Sequence, residues 1–273
     1  MDYAIVSVPA APVRRKARHQ NEMVSQLLFG ETVKVIKTKG SLWVKVRSLH
    51  DGYEGWMTNT MLKETDEKSA KAKSEYAGAD LLNTILINDK KMHIPFGSSL
   101  PYFSDGQGKL NDIDYSFAGN YIRRSEMHPG ADRVQQLTSP WLNAPYMWGG
   151  RTILGVDCSG FAQTIYKVMG LRIARDAHEQ ALQGRVVGFL QEAEPGDLAF
   201  FDDEEGKIVH VGILLNDHEI VHAAGGTGKV QIDKIDNEGI VRSDTGARTH
   251  RLRVIKRSII REEGLDIMWK EVK

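Results

Sequence analysis

The chain of 273 residues contains one cysteine, Cys158, and nine histidines. A single thiol excludes an intramolecular disulfide and any multi-cysteine metal site within the chain. It is either an inert buried side chain or a nucleophile. Cys158 lies within Val156-Asp157-Cys158-Ser159-Gly160-Phe161, at the head of a segment with helical spacing. Phe161, Ile165, Val168 and Met169 fall on one face, and Gly170 stands where a helix-terminating glycine belongs. A thiolate at a helix start faces unpaired N–H groups and the positive end of the helix dipole, which predicts a lowered thiol pKa. Asp157 and Ser159 are residue types that cap such a start. Free cysteine is also among the most buried residue types, so position alone leaves the inert reading open.

A nucleophilic thiol needs a base. His210 interrupts the apolar run Ile208 to Leu215, and His222 sits within Glu219-Ile220-Val221-His222-Ala223-Ala224. A histidine inside a buried strand needs partners for both ring nitrogens, as a satisfied core residue or as a general base. Strand parity decides whether the two can meet, because consecutive side chains alternate faces. A two-residue loop, Asn216-Asp217, pairs Leu215 with His218 and sends His210 and His222 to opposite faces. A three-residue loop pairs Leu215 with Glu219 and puts His222 opposite Gly212, on the face that carries His210. A Cys–His–His triad therefore predicts an odd-length loop, with a bulge. His222 would then orient the base through the second ring nitrogen, the general triad arrangement. His19, His50, His93, His128, His178, His218 and His250 sit in loops or polar contexts and are read as surface residues.

The elements that must position these groups follow from pattern. Residues 1–62 read as a small all-β barrel, with turns at Lys39-Gly40-Ser41 and Asp51-Gly52. Residues 63–75 have almost no apolar side chains and read as a charged linker or frayed helix, with Glu64–Lys68 and Glu67–Lys71 at helical pair spacing. Residues 76–130 read as a second, less regular β unit. Residues 131–273 carry a helix over Asp132 to Leu142, the helix from Cys158 to Met169, and then consecutive strands: Asp197 to Phe201, Ile208 to Leu215, Ile220 to Ala223, Val230 to Ile232 and Leu252 to Ile255. Helices followed by strands suggest an α+β fold with an antiparallel sheet. Tyr146-Met147-Trp148-Gly149-Gly150 precedes Cys158 closely enough to fold back over the helix start, and the Tyr146 hydroxyl is a candidate donor to an oxyanion beside the Cys158 N–H. The rival reading for these aromatics is packing.

Lys plus Arg and Asp plus Glu number 36 each, which gives no support to a general nucleic-acid role; the basic strings Arg14-Arg15-Lys16-Ala17-Arg18 and Arg251-Leu252-Arg253 read as solvated faces. No apolar run approaches the ~18–20 residues of a membrane helix. The start, Met-Asp-Tyr-Ala-Ile-Val, has no signal-peptide pattern, which suggests the cytoplasm. A periplasmic or envelope protein whose leader has been removed would begin in the same way.

Taken together, Pro145-Tyr146-Met147-Trp148-Gly149-Gly150, Asp157-Cys158-Ser159-Gly160-Phe161, Arg175-Asp176, Pro195-Gly196-Asp197-Leu198-Ala199-Phe200-Phe201, His210-Val211-Gly212-Ile213 and Ile220-Val221-His222-Ala223 resemble the NlpC-type family of bacterial cell-wall cysteine peptidases. The resemblance covers about residues 131–260 and rests on six motifs in order. It implies a papain-like α+β peptidase domain with Cys158 as nucleophile, His210 as base and His222 as its orienter, and with no metal or organic cofactor. Residues 1–62 resemble a bacterial SH3-like domain, and 76–130 a divergent copy. Two such domains ahead of the peptidase resemble the subgroup that cleaves γ-D-glutamyl-L-diamino-acid bonds in released murein peptides with a free N-terminal L-Ala. By that resemblance Tyr146, Asp157, Ser159 and Asp176 line the substrate side. Glu22, in His19-Gln20-Asn21-Glu22-Met23-Val24-Ser25-Gln26, is the candidate for the ligand amine, and Tyr53 a second candidate. Glu22 reads equally well as a solvated loop charge. The chain departs from the subgroup after Asp176, where Ala177 replaces the usual Ser and His178 follows, which bears on fine specificity. The expected partner is a murein peptide and the expected state a monomer. The rival readings are an inactive wall-binding protein and a related thiol amidase or acyltransferase.

Overall fold

The structure is a computed structural model that describes residues 1–126 and 131–257. His128 and the end of the chain beyond Arg257 lie outside the described residues. The described residues divide into two compact units, 1–126 with 147–156, and 131–146 with 157–257.

The first unit begins with a seven-stranded antiparallel sheet: β1 (Tyr3–Val6), β2 (Ala10–Arg14), β3 (Met23–Leu28), β4 (Thr32–Lys39), β5 (Trp43–Ser48), β6 (Glu54–Thr58) and β7 (Leu62–Thr65), ordered β3-β2-β6-β5-β4-β1-β7. Period-2 alternation explains the pattern on β5: Val44 and Val46 are buried with Val13, Leu27 and Met57, while Lys45 and Arg47 point outward and share Glu54. Fully burying each such aliphatic side chain contributes roughly 1.5–3 kcal/mol.

The segment expected as a linker is ordered for much of its length. β7 pairs with β1 from Tyr3↔Thr65 to Val6↔Leu62. A short helix, α1 (Glu67–Lys71), follows, capped by the Asp66 side chain on the Ser69 N–H at 2.9 Å. An edge strand pairs through its backbone, so it needs few apolar side chains. Leu62 and Ala70 supply the buried anchors, and charge dominates the rest.

The second β module comprises β8 (Tyr76–Gly78), β9 (Leu82–Ile87), β10 (Lys90–Pro95), β11 (Ser99–Leu100), β12 (Gln107–Leu110), β13 (Ile113–Phe117) and β14 (Tyr121–Arg123). They form a four-stranded sheet, β10-β9-β13-β12, and a three-stranded sheet, β11-β8-β14. Asn88 and Asp89 both take positive φ between β9 and β10, the backbone that a two-residue hairpin turn requires. Phe29, from just beyond β3, packs into the core of this module with Ile85, Phe103, Tyr115 and Phe117, so the two β modules share a core.

Residues 147–156, expected as part of the peptidase domain, belong to the first unit. They form the hairpin β15 (Arg151–Thr152) and β16 (Gly155–Val156). Arg151 holds this hairpin in place. It is 1% exposed and donates to both carboxylate oxygens of Glu31, at 2.9 and 3.0 Å, and to the Gln26 carbonyl at 2.8 Å. Gly149 has φ of +76°, and a Cβ there would lie 2.5 Å from the Met23 carbonyl oxygen, so only glycine fits.

The second unit opens with α2 (Ala131–Thr138), continued by a 3-10 turn over Ser139–Trp141. α3 (Cys158–Val168) follows. It is buried on every side, not only on the expected apolar face, and two of its polar side chains donate to carbonyls of neighbouring segments. Gln163 donates to the Ile173 carbonyl and the Tyr166 hydroxyl to the Gly196 carbonyl. Gly170, at φ +77°, ends the helix. Its N–H reaches the Lys167 carbonyl and that of Leu171 reaches Tyr166, the paired bonds of a Schellman motif.

After α4 (Ala177–Gln180) come β17 (Arg185–Val187), β18 (Leu198–Asp202), β19 (Ile208–Leu214), β20 (Glu219–Ala224), β21 (Lys229–Asp236), β22 (Gly239–Val241) and β23 (Arg248–Arg257). The order is β17-β23-β18-β19-β20-β21-β22, and β22 also pairs with β23. Strands β18 to β23 therefore close into a six-stranded ring, with β17 attached outside it. Ala199, Phe201, Leu214, Ile220, Ile235, Ile240 and Ile255 form its apolar cluster. β23 is longer than the expected Leu252 to Ile255, and its extra residues carry His250 into the sheet.

Candidate active site

Cys158 is the first residue of α3, and the Asp157 side chain caps the helix by accepting the Gly160 N–H at 2.7 Å. Asp157 in turn takes both ends of the Arg175 guanidinium, at 3.0 and 2.7 Å, and Arg175 also donates to the Ser159 hydroxyl at 2.9 Å. All three side chains are buried. Asp157 and Ser159, expected along the substrate side, are held here by Arg175, and together they fix the first turn of α3. Removing one member of such a buried pair leaves an uncompensated charge and costs about 3–5 kcal/mol.

The thiol itself is 8% exposed. Burial pushes it up to about 12 and the Asp157 charge adds to that, outweighing the Val211 and Ser159 N–H groups and Arg175, which favour the thiolate. This corrects the expectation of a lowered thiol pKa: the helix end acts as predicted, but desolvation is larger. The Val211 N–H at the sulfur also ties Cys158 to β19, one residue from His210.

The loop between β19 and β20 has the odd length a triad requires. Ile213 pairs with Val221 and Leu214 with Ile220, and the Leu215 N–H reaches the Glu219 carbonyl, leaving Asn216, Asp217 and His218 as the connection. The expected bulge lies on the other edge of β19, between β18 and β19 beside Phe201 and Asp202. Gly212 has to be small: a Cβ would lie 2.5 Å from the Ile220 side chain and 3.1 Å from His222 Cβ. His210 Nε2 and His222 Nδ1 are 2.8 Å apart. Burial holds the His210 imidazole well below its ordinary range, and His222 and His250 reinforce this, so the resting ring is neutral.

Tyr146 is half-buried, with its N–H on the Gly228 carbonyl at 2.7 Å and its ring beside Gly225. Burial raises its hydroxyl above the ordinary range, with Cys158 and Asp157 adding to the effect, so it stays a donor. Asp176 is half-buried at the N-terminus of α4 and makes no side-chain capping bond there; Ala177 begins that helix and His178 is exposed.

The other two candidates lie in the first unit. Glu22 accepts from Arg15 at 2.5 Å and from the Trp148 indole at 2.9 Å, and its carboxyl is held below the usual range chiefly by Arg15. Tyr53 packs against the core of the first barrel.

Three participants were not anticipated. Asp233, on β21 and 2% exposed, lies 3.1 Å from His222 Nε2. His250 stacks on His210 with ring centroids 4.2 Å apart and 27° between planes. Arg175, noted only within a motif, organises the helix start. The parity argument could have found Asp233: His222 pairs with Gln231, so Asp233, two residues on, shares that face. His250 had no such signal, because it depends on β22 bonding to β23.

A thiol at a buried helix start, its sulfur on the N–H of the residue next to a buried, hydrogen-bonded histidine of an antiparallel sheet, defines a cysteine peptidase of papain-like α+β fold. The comparisons agree. The NlpC/P60 family matches residues 143–249 and the bacterial dipeptidyl-peptidase SH3 domain matches residues 13–62. A γ-D-glutamyl-L-lysine dipeptidyl-peptidase of Bacillus subtilis is 32% identical over 224 residues, covering 77% of this chain and 74% of the relative. A protein of the same name from Bacillus cereus is 28% identical over 255 residues, covering 84% and 76%. A solved NlpC/P60 family structure from Bacillus cereus shares the fold, with a TM-score of 0.80 over 94% of this chain and 100% of that one at 22% identity. The chain belongs to the NlpC/P60 family. Among the described residues, no helix is long and apolar enough to cross a membrane.

Proposed function

We propose that this peptidase hydrolyses the γ-D-glutamyl-L-diamino-acid bond of murein peptides, acting on small fragments with a free N-terminal L-Ala in wall turnover or recycling. The observation that carries the reading is Cys158 at the capped start of α3, tied to the strand of a His210–His222 pair. The names of the two Bacillus relatives supply the bond type. A role in recycling places the enzyme in the cytoplasm, or in the envelope if a leader precedes the chain.

In this mechanism Cys158 gives its proton to His210 as the sulfur attacks the γ-glutamyl carbonyl carbon. The Cys158 N–H and the Tyr146 hydroxyl receive the developing oxyanion. The protonated His210 then delivers its proton to the leaving diamino-acid amine, which yields a thioester. Water, deprotonated by His210, hydrolyses it and restores the thiol. Glu22 is assigned to the substrate's terminal ammonium, a carboxylate already polarised by Arg15 and Trp148.

The test is incubation with L-Ala-γ-D-Glu-L-Lys and its diaminopimelate analogue, with the released diamino acid measured by mass spectrometry. Release by the wild type and none by Cys158→Ala is expected. No release by the wild type, or equal release by the variant, overturns the reading. Acetylating the substrate's N-terminus should reduce kcat/KM by at least tenfold; unchanged turnover removes Glu22 from its assigned role.

A further inference from the structure

Accepting that Cys158 and His210 carry the reaction, we propose that Asp233 is a positioning residue that sets the tautomers of both histidines, and so leaves His210 Nδ1 as the nitrogen that takes the Cys158 proton.

The geometry is a buried chain. His210 Nε2 meets His222 Nδ1 at 2.8 Å, and His222 Nε2 meets Asp233 Oδ2 at 3.1 Å. The three residues are 5%, 1% and 2% exposed, so hydrogen bonds to bulk water cannot replace those within the chain. The Asp233 carboxylate is itself held on both sides. Its Oδ1 accepts the Ser243 N–H at 2.9 Å, and its Oδ2 also accepts from Gln231 Nε2 at 2.5 Å. Burial opposes its ionisation, but the bonds from His222, Ser243 and Gln231 prevail and hold it at about 2. At neutral pH it is an acceptor only.

The rest follows from donor and acceptor count. A carboxylate facing His222 Nε2 requires the proton on that nitrogen. Neutral His222 then offers a lone pair at Nδ1, so His210 must donate from Nε2. Neutral His210 is left with a lone pair at Nδ1, the state a base needs. The opposite chain has His222 donating from Nδ1, His210 accepting at Nε2 and a proton already on His210 Nδ1. It would face the carboxylate with a second lone pair and could not deprotonate the thiol. During attack one proton moves from sulfur to His210 Nδ1 as the carbon–sulfur bond forms. The imidazolium keeps its Nε2–H on His222, and Asp233 remains ionised.

Other groups surround the chain without supplying this constraint. His250 on β23 stacks on the face of His210, with its own Nδ1 2.9 Å from Thr249 Oγ1. Phe201 on β18 lies against the His210 ring at 5.7 Å between centroids. From α3 and the segment after it, Cys158, Asp157 and Arg175 supply the charges and polar groups already described.

The test combines nitrogen-15 NMR of histidine-labelled enzyme with kinetics. In the wild type at neutral pH, His210 and His222 should both carry their proton on Nε2. Asp233→Asn is nearly isosteric, but its amide can donate to His222 Nε2 and favour the reversed chain. The variant should show Nδ1-protonated histidines and lose on the order of 10²- to 10⁴-fold in kcat, with KM within about threefold. Nδ1-protonated His210 in the wild type, or a folded Asp233→Asn enzyme with unchanged kcat and unchanged tautomers, overturns the proposal. Should the variant not fold, the wild-type spectrum alone decides. The spectrum needs no turnover, so this result is independent of whether the assumed substrate is cleaved.

Discussion

Each unit of the molecule buries a polar cluster, and the two clusters differ in what they can do. In the first unit Arg151 and Glu31 form a bidentate pair, 1% and 2% exposed, that holds a hairpin. Its contacts hold the backbone of one hairpin, so the pair is a static clamp. In the second unit Asp157–Arg175 is built in the same way and is equally static, but it sits at the cap of the helix that begins with Cys158. The same unit holds a histidine pair ending on a carboxylate, a chain in which His210 is the member assigned the thiol proton. Arginine–carboxylate pairs fix geometry, while a histidine chain adds a movable proton. The second unit uses the first kind of contact to aim the second.

The largest effect that would break this contrast is on chemistry. Cys158→Ala and His210→Ala should each lower kcat by at least about 10³-fold while leaving the thermal midpoint within a few degrees. A His210→Ala enzyme with near-native turnover would show that the movable proton lies elsewhere. Next come the static pairs. Arg175→Met and Glu31→Gln should each destabilise their unit by about 3–5 kcal/mol in denaturant titration. Only Arg175→Met should also reduce kcat in the fraction that remains folded, because only that pair positions the thiol. Equal kinetic effects of the two would dissolve the distinction.

The smallest effect concerns acid. Burial holds His250 down to about 4, with His222 contributing. A histidine whose folded pKa lies below its unfolded value stabilises the fold above about 6.5, and that contribution is lost as pH falls toward 4. His250→Phe keeps the stack on His210 and removes the titration. Its thermal midpoint should therefore fall less steeply between pH 6.5 and 4 than that of the wild type. Superimposable curves would remove His250 from the acid response.

Much of the site was readable in the sequence because it obeys local rules. Asp157 and Cys158 precede a periodic apolar face and Gly170 closes it, so the helix and its cap follow from spacing. His210 and His222 flank a short connection, and parity alone ties their meeting to its length. What was not readable depends on partners distant in sequence. His250 looked like a loop residue within Arg248-Thr249-His250-Arg251, because those polar residues gain their place only when β22 pairs with β23. The thiol's raised pKa comes from burial, which no local motif reports. The segment after residue 62 reads as charged and solvated, yet β7 is held by backbone pairing to β1, an interaction blind to side-chain type. Residues 147–156 read as continuous with the peptidase, but the Arg151–Glu31 pair assigns them to the first unit.

The ring formed by β18 to β23 has a kinetic consequence. His210, His222, Asp233 and His250 stand on four of its six strands, and each of those strands pairs with a neighbour on both sides, β19 with β20 through Ile213–Val221 and Leu214–Ile220. A closed ladder has no free end from which to peel, so its amides should exchange with solvent only when the whole unit opens, whereas β17, outside the ring, can detach alone. Deuterium uptake should then split into a fast phase at Arg185–Val187 and a slow, concerted phase shared by the four site strands. The buried histidine chain would be as long-lived in its arrangement as the fold itself.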